Sequence, residues 1–317
     1  MSAANTITPN TITPETERSE TLGIVGVGVM GGGIAENLLK GGANLVVYDL
    51  NPNRVAYFVQ LGARAATGPA DVARQASTLI SMVETTAQSE EVIMGPEGFQ
   101  SAAQAGDVIL SMATIDPLAV KRWYAELKPR GIDFVDAPVS GGQERAEGGD
   151  LSIICGGDAD VVERVAPLLN SVARQVFHMG EVGQGLAMKL CNNMLIQVGT
   201  IAVAEAMVLG TKAGLDPQQM IDVIRQSTGH SVAFEMRAPR YLTGDFEPGG
   251  TVDITFKDQH LQTSFANTLG VPLFLANVTQ QIFQWARGMG FNKKDSSITV
   301  TMYEKAAGVQ LGPREGD

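Results

Sequence analysis

The stretch LGIVGVGVMGGGIAENLLKGGANLVVYD, residues 22–49, decides how the first half of this chain folds. It opens with a short apolar run that reads as a buried strand. Gly26, Gly28 and Gly31 then fall in GxGxxG spacing, a helix-like run GGGIAENLLKGG follows, and a second strand, NLVVYDL, reaches an acid at Asp49. Glycine is abundant here, with 36 residues, so the spacing alone is a weak signal. The ordered succession of strand, glycine turn, helix, strand and terminal acid is much stronger. The first glycine makes the tight turn, the second lets a pyrophosphate approach the backbone, and the third lets helix and strand pack closely. The phosphates then meet free amides at a helix N-terminus. Gly26, Gly28, Val29, Met30 and Gly31 are thereby candidate dinucleotide contacts.

Asp49 lies about twenty residues past the fingerprint, where a carboxylate accepts hydrogen bonds from ribose hydroxyls and repels a 2′-phosphate. Arg54 is nearby but farther along the chain, so NAD is favoured over NADP. The alternative for Asp49 is an ordinary turn acid before Asn51 and Pro52.

Working outward, the pattern continues as βα units: strands at 78–83, 107–112 and 133–136, with helices leading to Met94 and over 117–127. Strands alternating with helices imply a doubly wound, mainly parallel sheet with right-handed crossovers. Ligands of such sheets sit beyond the carboxyl ends of the strands. Met82 and Val83, at the end of one of these strands, and Thr114, in the loop after another, are therefore cofactor candidates, though each is equally compatible with plain turn chemistry.

The segment DAPVSGGQERAEGGDLSIICGGD, residues 136–158, follows a strand and resumes as strand-like LSIICGG. Ser140, Gly141 and Gly142 offer a hydroxyl and exposed amides, a suitable cradle for a carboxylate. By composition alone, SGG is first of all a flexible turn.

Residues 183–214, GQGLAMKLCNNMLIQVGTIAVAEAMVLGTKAG, lack proline and carry few charges. They read as one long buried helix of roughly 45 Å. Lys189 and Asn193 lie one turn apart on one face. A buried ammonium is costly and is pushed towards its neutral form, which suits proton transfer. A snorkelling lysine and a loop-bonding asparagine fit the stretch equally well. After Asp216 and Pro217, a helix start, apolar residues recur at helical spacing in MIDVIRQS, LQTSFANTLG and VTQQIFQWARGMG.

The bulk composition, 44% hydrophobic and 18% charged, is that of an ordinary globular chain long enough for two domains. A net charge of −11 disfavours nucleic acid or an anionic membrane as partner. Cys155 and Cys191 lack CxxC spacing, which suits a reducing, cytoplasmic compartment, and the three histidines show no metal-ligand spacing. Residues 1–20 are rich in Thr, Pro, Ser and Asn and are expected to form a disordered tail, without the apolar core of a signal peptide. The expected organisation is this tail, a dinucleotide-binding domain over 21–182, and an all-helical domain over 183–317.

Taken together, GVGVMGGGIAENLLKGG, ATIDP, DAPVSGG followed by AEGGDLSIICGG, GxGxxxKxxNN ending at Asn193, and FKD at Phe256 to Asp258 resemble the β-hydroxyacid dehydrogenases. That family includes 3-hydroxyisobutyrate dehydrogenase and tartronate semialdehyde reductase and is related to 6-phosphogluconate dehydrogenase. The resemblance implies a Rossmann domain, a long interdomain helix, and an all-α domain that forms homodimers or homotetramers. It implies Lys189 as catalytic acid or base with Asn193 positioning the substrate. Ser140, Gly141 and Gly142 would bind a small carboxylate, and Lys257 and Thr114 would contact the cofactor. Glu84 departs from the proline usual in relatives, and the run Gly31, Gly32, Gly33 is richer in glycine than usual. Imine reductases share the architecture but generally carry other residues at the lysine, and a non-catalytic scaffold would lack it; Lys189 argues against both. Substrate options are 3-hydroxyisobutyrate, glycerate or tartronate semialdehyde, or a longer sugar acid. The polar loops around Gln143, Glu144, Arg145 and around His230, Ser231, Phe234, Arg237 lean towards a polyhydroxy acid.

Overall fold

A computed structural model describes Arg18 and residues 20–313. These divide into two compact units: one runs to Val182 without Thr114–Leu118, and the other comprises Thr114–Leu118 and everything from Gly183. Most of the expected tail lies outside the described residues. Its last part is not a tail, because Arg18 donates to the Asp107 carboxylate (2.8 Å from Nη1) and to the Ala73 carbonyl (3.0 Å). Asp107 is only 2% exposed, and a buried carboxylate needs such a partner.

The first unit is built on six parallel strands, β1 Thr21–Val25, β2 Asn44–Tyr48, β3 Arg64–Ala65, β4 Thr78–Ser81, β5 Val108–Ser111 and β6 Asp133–Asp136. Their order, β3-β2-β1-β4-β5-β6, reverses between β1 and β4, and a ligand crevice opens at such a switch point. The central strands are apolar and buried on both faces, as a sheet covered by crossover helices requires. Strands expected over 78–83 and 107–112 are shorter, with paired residues only over Thr78–Ser81 and Val108–Ser111. The helix Pro117–Leu127 stands as the sequence predicts.

A second, three-stranded sheet contains the strand expected at LSIICGG, but its other two strands are not among the elements the sequence predicts. It joins β7 Val139–Ser140 antiparallel to β8 Leu151–Cys155, which pairs in parallel with β9 Ala173–His178.

The second unit is helical, with the Gln184–Lys212 helix as its central rod. Ile201, Ala204, Met207 and Val208 of this rod form a core with Phe234, Tyr241, Phe283 and Val300 from the surrounding helices. The Pro217–Arg225 helix begins as expected, with Asp216 accepting from the Gln219 amide at 2.8 Å. The rod is long and apolar enough to cross a membrane by composition, but its core-facing side packs against other helices of the unit. Nor is it buried all round. Met188, Leu195, Ala202 and Leu209, one heptad apart, are all exposed, Leu195 and Leu209 at 72%. A helix at the centre of a small bundle still turns one stripe outward.

Candidate active site

The candidate residues fall into two sets, one in each unit. In the first unit the chain leaves β1 through Gly26, whose φ is +92° and whose position against the Met82 carbonyl leaves a β-carbon only 2.5 Å from that oxygen, so that glycine alone fits. A β-carbon on Gly31 would overlap the Gly26 carbonyl oxygen, so the Val29–Lys40 helix approaches the turn as closely as backbone allows. Gly28, the N-cap, has open space where a side chain would stand, and no side chain caps this helix. Its first amides, with Val29 and Met30 at the rim, are a ready anion site. Met82 and Val83 adjoin the same turn from the end of β4. These features fit a dinucleotide pyrophosphate.

Asp49 accepts from the Val27 amide (2.9 Å, Oδ2) and from the Asn51 amide (2.8 Å, Oδ1). It is therefore fixed beside the turn, and each carboxylate oxygen keeps lone-pair capacity for a hydroxyl. Glu84, the departure from the usual proline, donates its amide to Gln88 Oε1 at 3.0 Å, a bond proline would lack.

Ser140 ends β7, and Gly141 (φ +145°) and Gly142 (φ +73°) carry the chain into a helix, Gly142–Glu147. The sequence shows no sign of that helix, because one turn of GQERAE between glycines has no apolar periodicity. It packs against the dinucleotide helix, where a β-carbon on Gly33 would meet the Ala146 carbonyl carbon at 2.6 Å. Asn37 donates its amide to the carbonyls of Ala146 (2.9 Å) and Glu147 (3.1 Å). The helix that follows Ser140, Gly141 and Gly142 is thus packed against the glycine-rich helix.

In the second unit Lys189 is 6% exposed. Burial depresses its ammonium to about 8, with Lys257 adding to the effect and the Asp258 carboxylate opposing it. Asn193, one turn on, donates to Asp258 Oδ2 at 2.7 Å. Lys257 lies 3.1 Å from the other oxygen of that carboxylate and also donates to the Thr114 carbonyl at 2.8 Å. Lys189, Asn193, Lys257 and Thr114 are thus brought together around Asp258, a residue the sequence marks only as the last letter of FKD. One turn farther along both helices the polar seam continues, with Gln262 donating to Gln197 at 2.7 Å. A lysine poised between charged and neutral forms, beside a fixed amide and carboxylate, can take or give a proton.

Three residues of the loop that leaned the sequence reading towards a polyhydroxy acid are engaged elsewhere. Arg237 is 8% exposed and pairs with Asp295 at 2.8 Å, while Phe234 is core. His230 is bonded to Glu235 at 3.0 Å.

Comparison with known proteins agrees with this architecture. Residues 21–180 match the NAD binding domain of 6-phosphogluconate dehydrogenase, and residues 183–303 match the family described as NAD-binding of NADP-dependent 3-hydroxyisobutyrate dehydrogenase. The chain is 36% identical over 279 residues to 2-(hydroxymethyl)glutarate dehydrogenase of Eubacterium barkeri, covering 88% of this chain and 93% of the relative. It is 33% identical over 272 residues to L-threonate dehydrogenase of Cupriavidus necator, covering 86% and 92%. Among solved structures it superposes on 3-hydroxyisobutyrate dehydrogenase from Salmonella typhimurium with a TM-score of 0.78 at 32% identity, covering 89% of this chain and 99% of that one.

Proposed function

The chain belongs to the β-hydroxyacid dehydrogenase family, NAD(P)-binding oxidoreductases of hydroxy acids, and from that premise we propose that it interconverts a small 3-hydroxy acid and its oxo form with Lys189 as general acid and base. The observation that carries this reading is the buried Lys189, one turn from Asn193 and near Asp258, with its titration lowered by burial to about 8. The dinucleotide, when bound, supplies or accepts the hydride. In oxidation neutral Lys189 takes the hydroxyl proton at Nζ; in reduction its ammonium protonates the carbonyl oxygen. Asn193, anchored by Asp258, orients the reacting oxygen. Ser140, Gly141 and Gly142 take the substrate carboxylate.

NAD is the proposed cofactor. Support comes from Asp49, whose carboxylate is pinned by two backbone amides beside the turn and would repel a 2′-phosphate. Self-association through the helical unit, as a homodimer or homotetramer, is also proposed, supported by the exposed heptad stripe on the central rod and by Phe274, which is 81% exposed. The two unpaired cysteines accord with a cytoplasmic setting.

The deciding experiment follows NADH absorbance over a panel of 3-hydroxyisobutyrate, glycerate, L-threonate and 2-(hydroxymethyl)glutarate, with wild type and Lys189→Ala. Turnover on at least one acid is expected, falling by about 10³-fold or more in the variant while NADH still binds. Substantial residual turnover in Lys189→Ala would remove the lysine from its role. An imine substrate turned over in preference to every acid would replace the reaction class.

A further inference from the structure

The extra glycine at Gly32 has a physical counterpart. The Pro52–Gln60 helix places Arg54 directly over it, and a β-carbon on Gly32 would overlap one guanidinium nitrogen. Arg54 Nε donates to the Val27 carbonyl at 2.8 Å, and Nη2 to the Gly28 carbonyl at 3.3 Å. The guanidinium also lies 5.3 Å from the Tyr57 ring centre and 5.2 Å from that of the buried Phe58. Tyr57 in turn donates to Glu36 on the dinucleotide helix at 3.0 Å. The arginine is therefore held from several sides, with its donors turned to the fingerprint backbone.

These bonds have a directional consequence. A trans peptide is planar, so its N–H points opposite to its C=O. Arg54 holds the Val27 carbonyl and shares the Gly28 carbonyl with the Gly32 amide, which donates to it at 2.8 Å; the amides of Gly28 and Val29 are thereby aimed the other way, and at Gly28 open space stands where a side chain would be. Asp49 secures the remaining end of the turn through the Val27 amide. Uncharged donors would hold these carbonyls more weakly than a guanidinium does.

We propose that Arg54 is a positioning residue for the cofactor: it clamps the Val27–Gly28 backbone so that the turn's amides meet the pyrophosphate, and Gly32 leaves the space that admits it. Arg54 is not a ligand for a 2′-phosphate. The proposal rests on dinucleotide binding alone, so failure of the substrate or Lys189 assignments leaves it standing.

Binding of NADH and NADPH to the intact chain, read by nicotinamide fluorescence, tests it, with melting temperatures recorded alongside. Arg54→Gln should raise both dissociation constants by a common factor of about ten, leaving their ratio unchanged. Gly32→Ala, which displaces the guanidinium, should do the same. The double variant should be no worse than either single one, because both changes remove one clamp. Arg54→Lys, which retains a cation able to reach one carbonyl, should recover part of the loss. Selective loss of NADPH in Arg54→Gln would make Arg54 a 2′-phosphate ligand and overturn the clamp. Unchanged affinities, or additive losses in the double variant, would overturn it too. Should Arg54→Gln fail to fold, Gly32→Ala and Arg54→Lys decide by the same criteria: a shared loss for both nucleotides supports the clamp, and a selective loss or none refutes it.

Discussion

Asn193 donates its side-chain amide to Asp258 at 2.7 Å, joining the Gln184–Lys212 and Val252–Leu269 helices at the level of the buried Lys189. The carboxylate stabilises the ammonium form of Lys189, against the burial that depresses it. Replacing Asp258 with Asn keeps an acceptor for Asn193 but removes the charge. The Lys189 titration should then move below about 8, with a loss of roughly tenfold in kcat/KM. A pH profile identical in shape to wild type would show that Asp258 does not act on the lysine.

The direction of the reaction sets the sign of the pH dependence. Under the proposed mechanism oxidation needs neutral Lys189, so its kcat/KM should rise through about pH 8 and level off above it, whereas reduction should decline over the same interval. Parallel profiles in the two directions would contradict a single group alternating between base and acid.

Lys189 also costs stability. Its folded-state titration lies below that of a free lysine, so between about 8 and the unfolded value the unfolded chain binds more protons, and stability rises with pH there. Below about 8 the penalty is fully present and amounts to about 3 kcal/mol at most. Lys189→Met should therefore unfold at higher urea than wild type at pH 7, with the gain shrinking towards pH 10. Equal midpoints at pH 7 would mean the ammonium is better solvated than its burial indicates.

Gly33 is where the Val29–Lys40 helix touches the helix that follows the proposed carboxylate cradle. Because a new β-carbon would meet Ala146 backbone rather than a yielding side chain, Gly33→Ala should lose about 1–3 kcal/mol in urea unfolding and raise the KM for the acid more than the Kd for NADH. An increase confined to the NADH Kd would detach the cradle from this contact.

Leu195 and Leu209 lie on the exposed stripe of the central rod. Leu195→Glu with Leu209→Glu should reduce the mass measured by light scattering to that of one chain. A mass unaffected by both charges would overturn the proposed self-association through this stripe.

Some of this architecture is legible in the sequence because it follows from covalent geometry and periodicity. The Pro117–Leu127 helix and the strand Asp133–Asp136 are readable in full, since a proline start and an apolar run are local signals. β9 gives no such signal, because ARQVFH is half polar and mostly exposed, with no clean alternation. Asp258 stands inside a recognised motif, yet its partner Asn193 is 65 residues away, and no local pattern couples them. Arg237, polar and near a candidate loop, gives a misleading signal, because only packing reveals its buried partner Asp295.

The sequence by itself determined the glycine turn, the succession of strands and helices, and the apolar rod that carries a lysine and an asparagine on one face. Those features are imposed within a few residues, by allowed backbone angles and by the direction in which side chains leave a helix. Only the tertiary structure decided that Lys189 is buried against Asp258 and Lys257, that the rod turns an apolar stripe outward, and that Arg54 fills the space above Gly32. Desolvation, charge pairing and close packing depend on which distant segments meet, and a linear pattern does not contain that information.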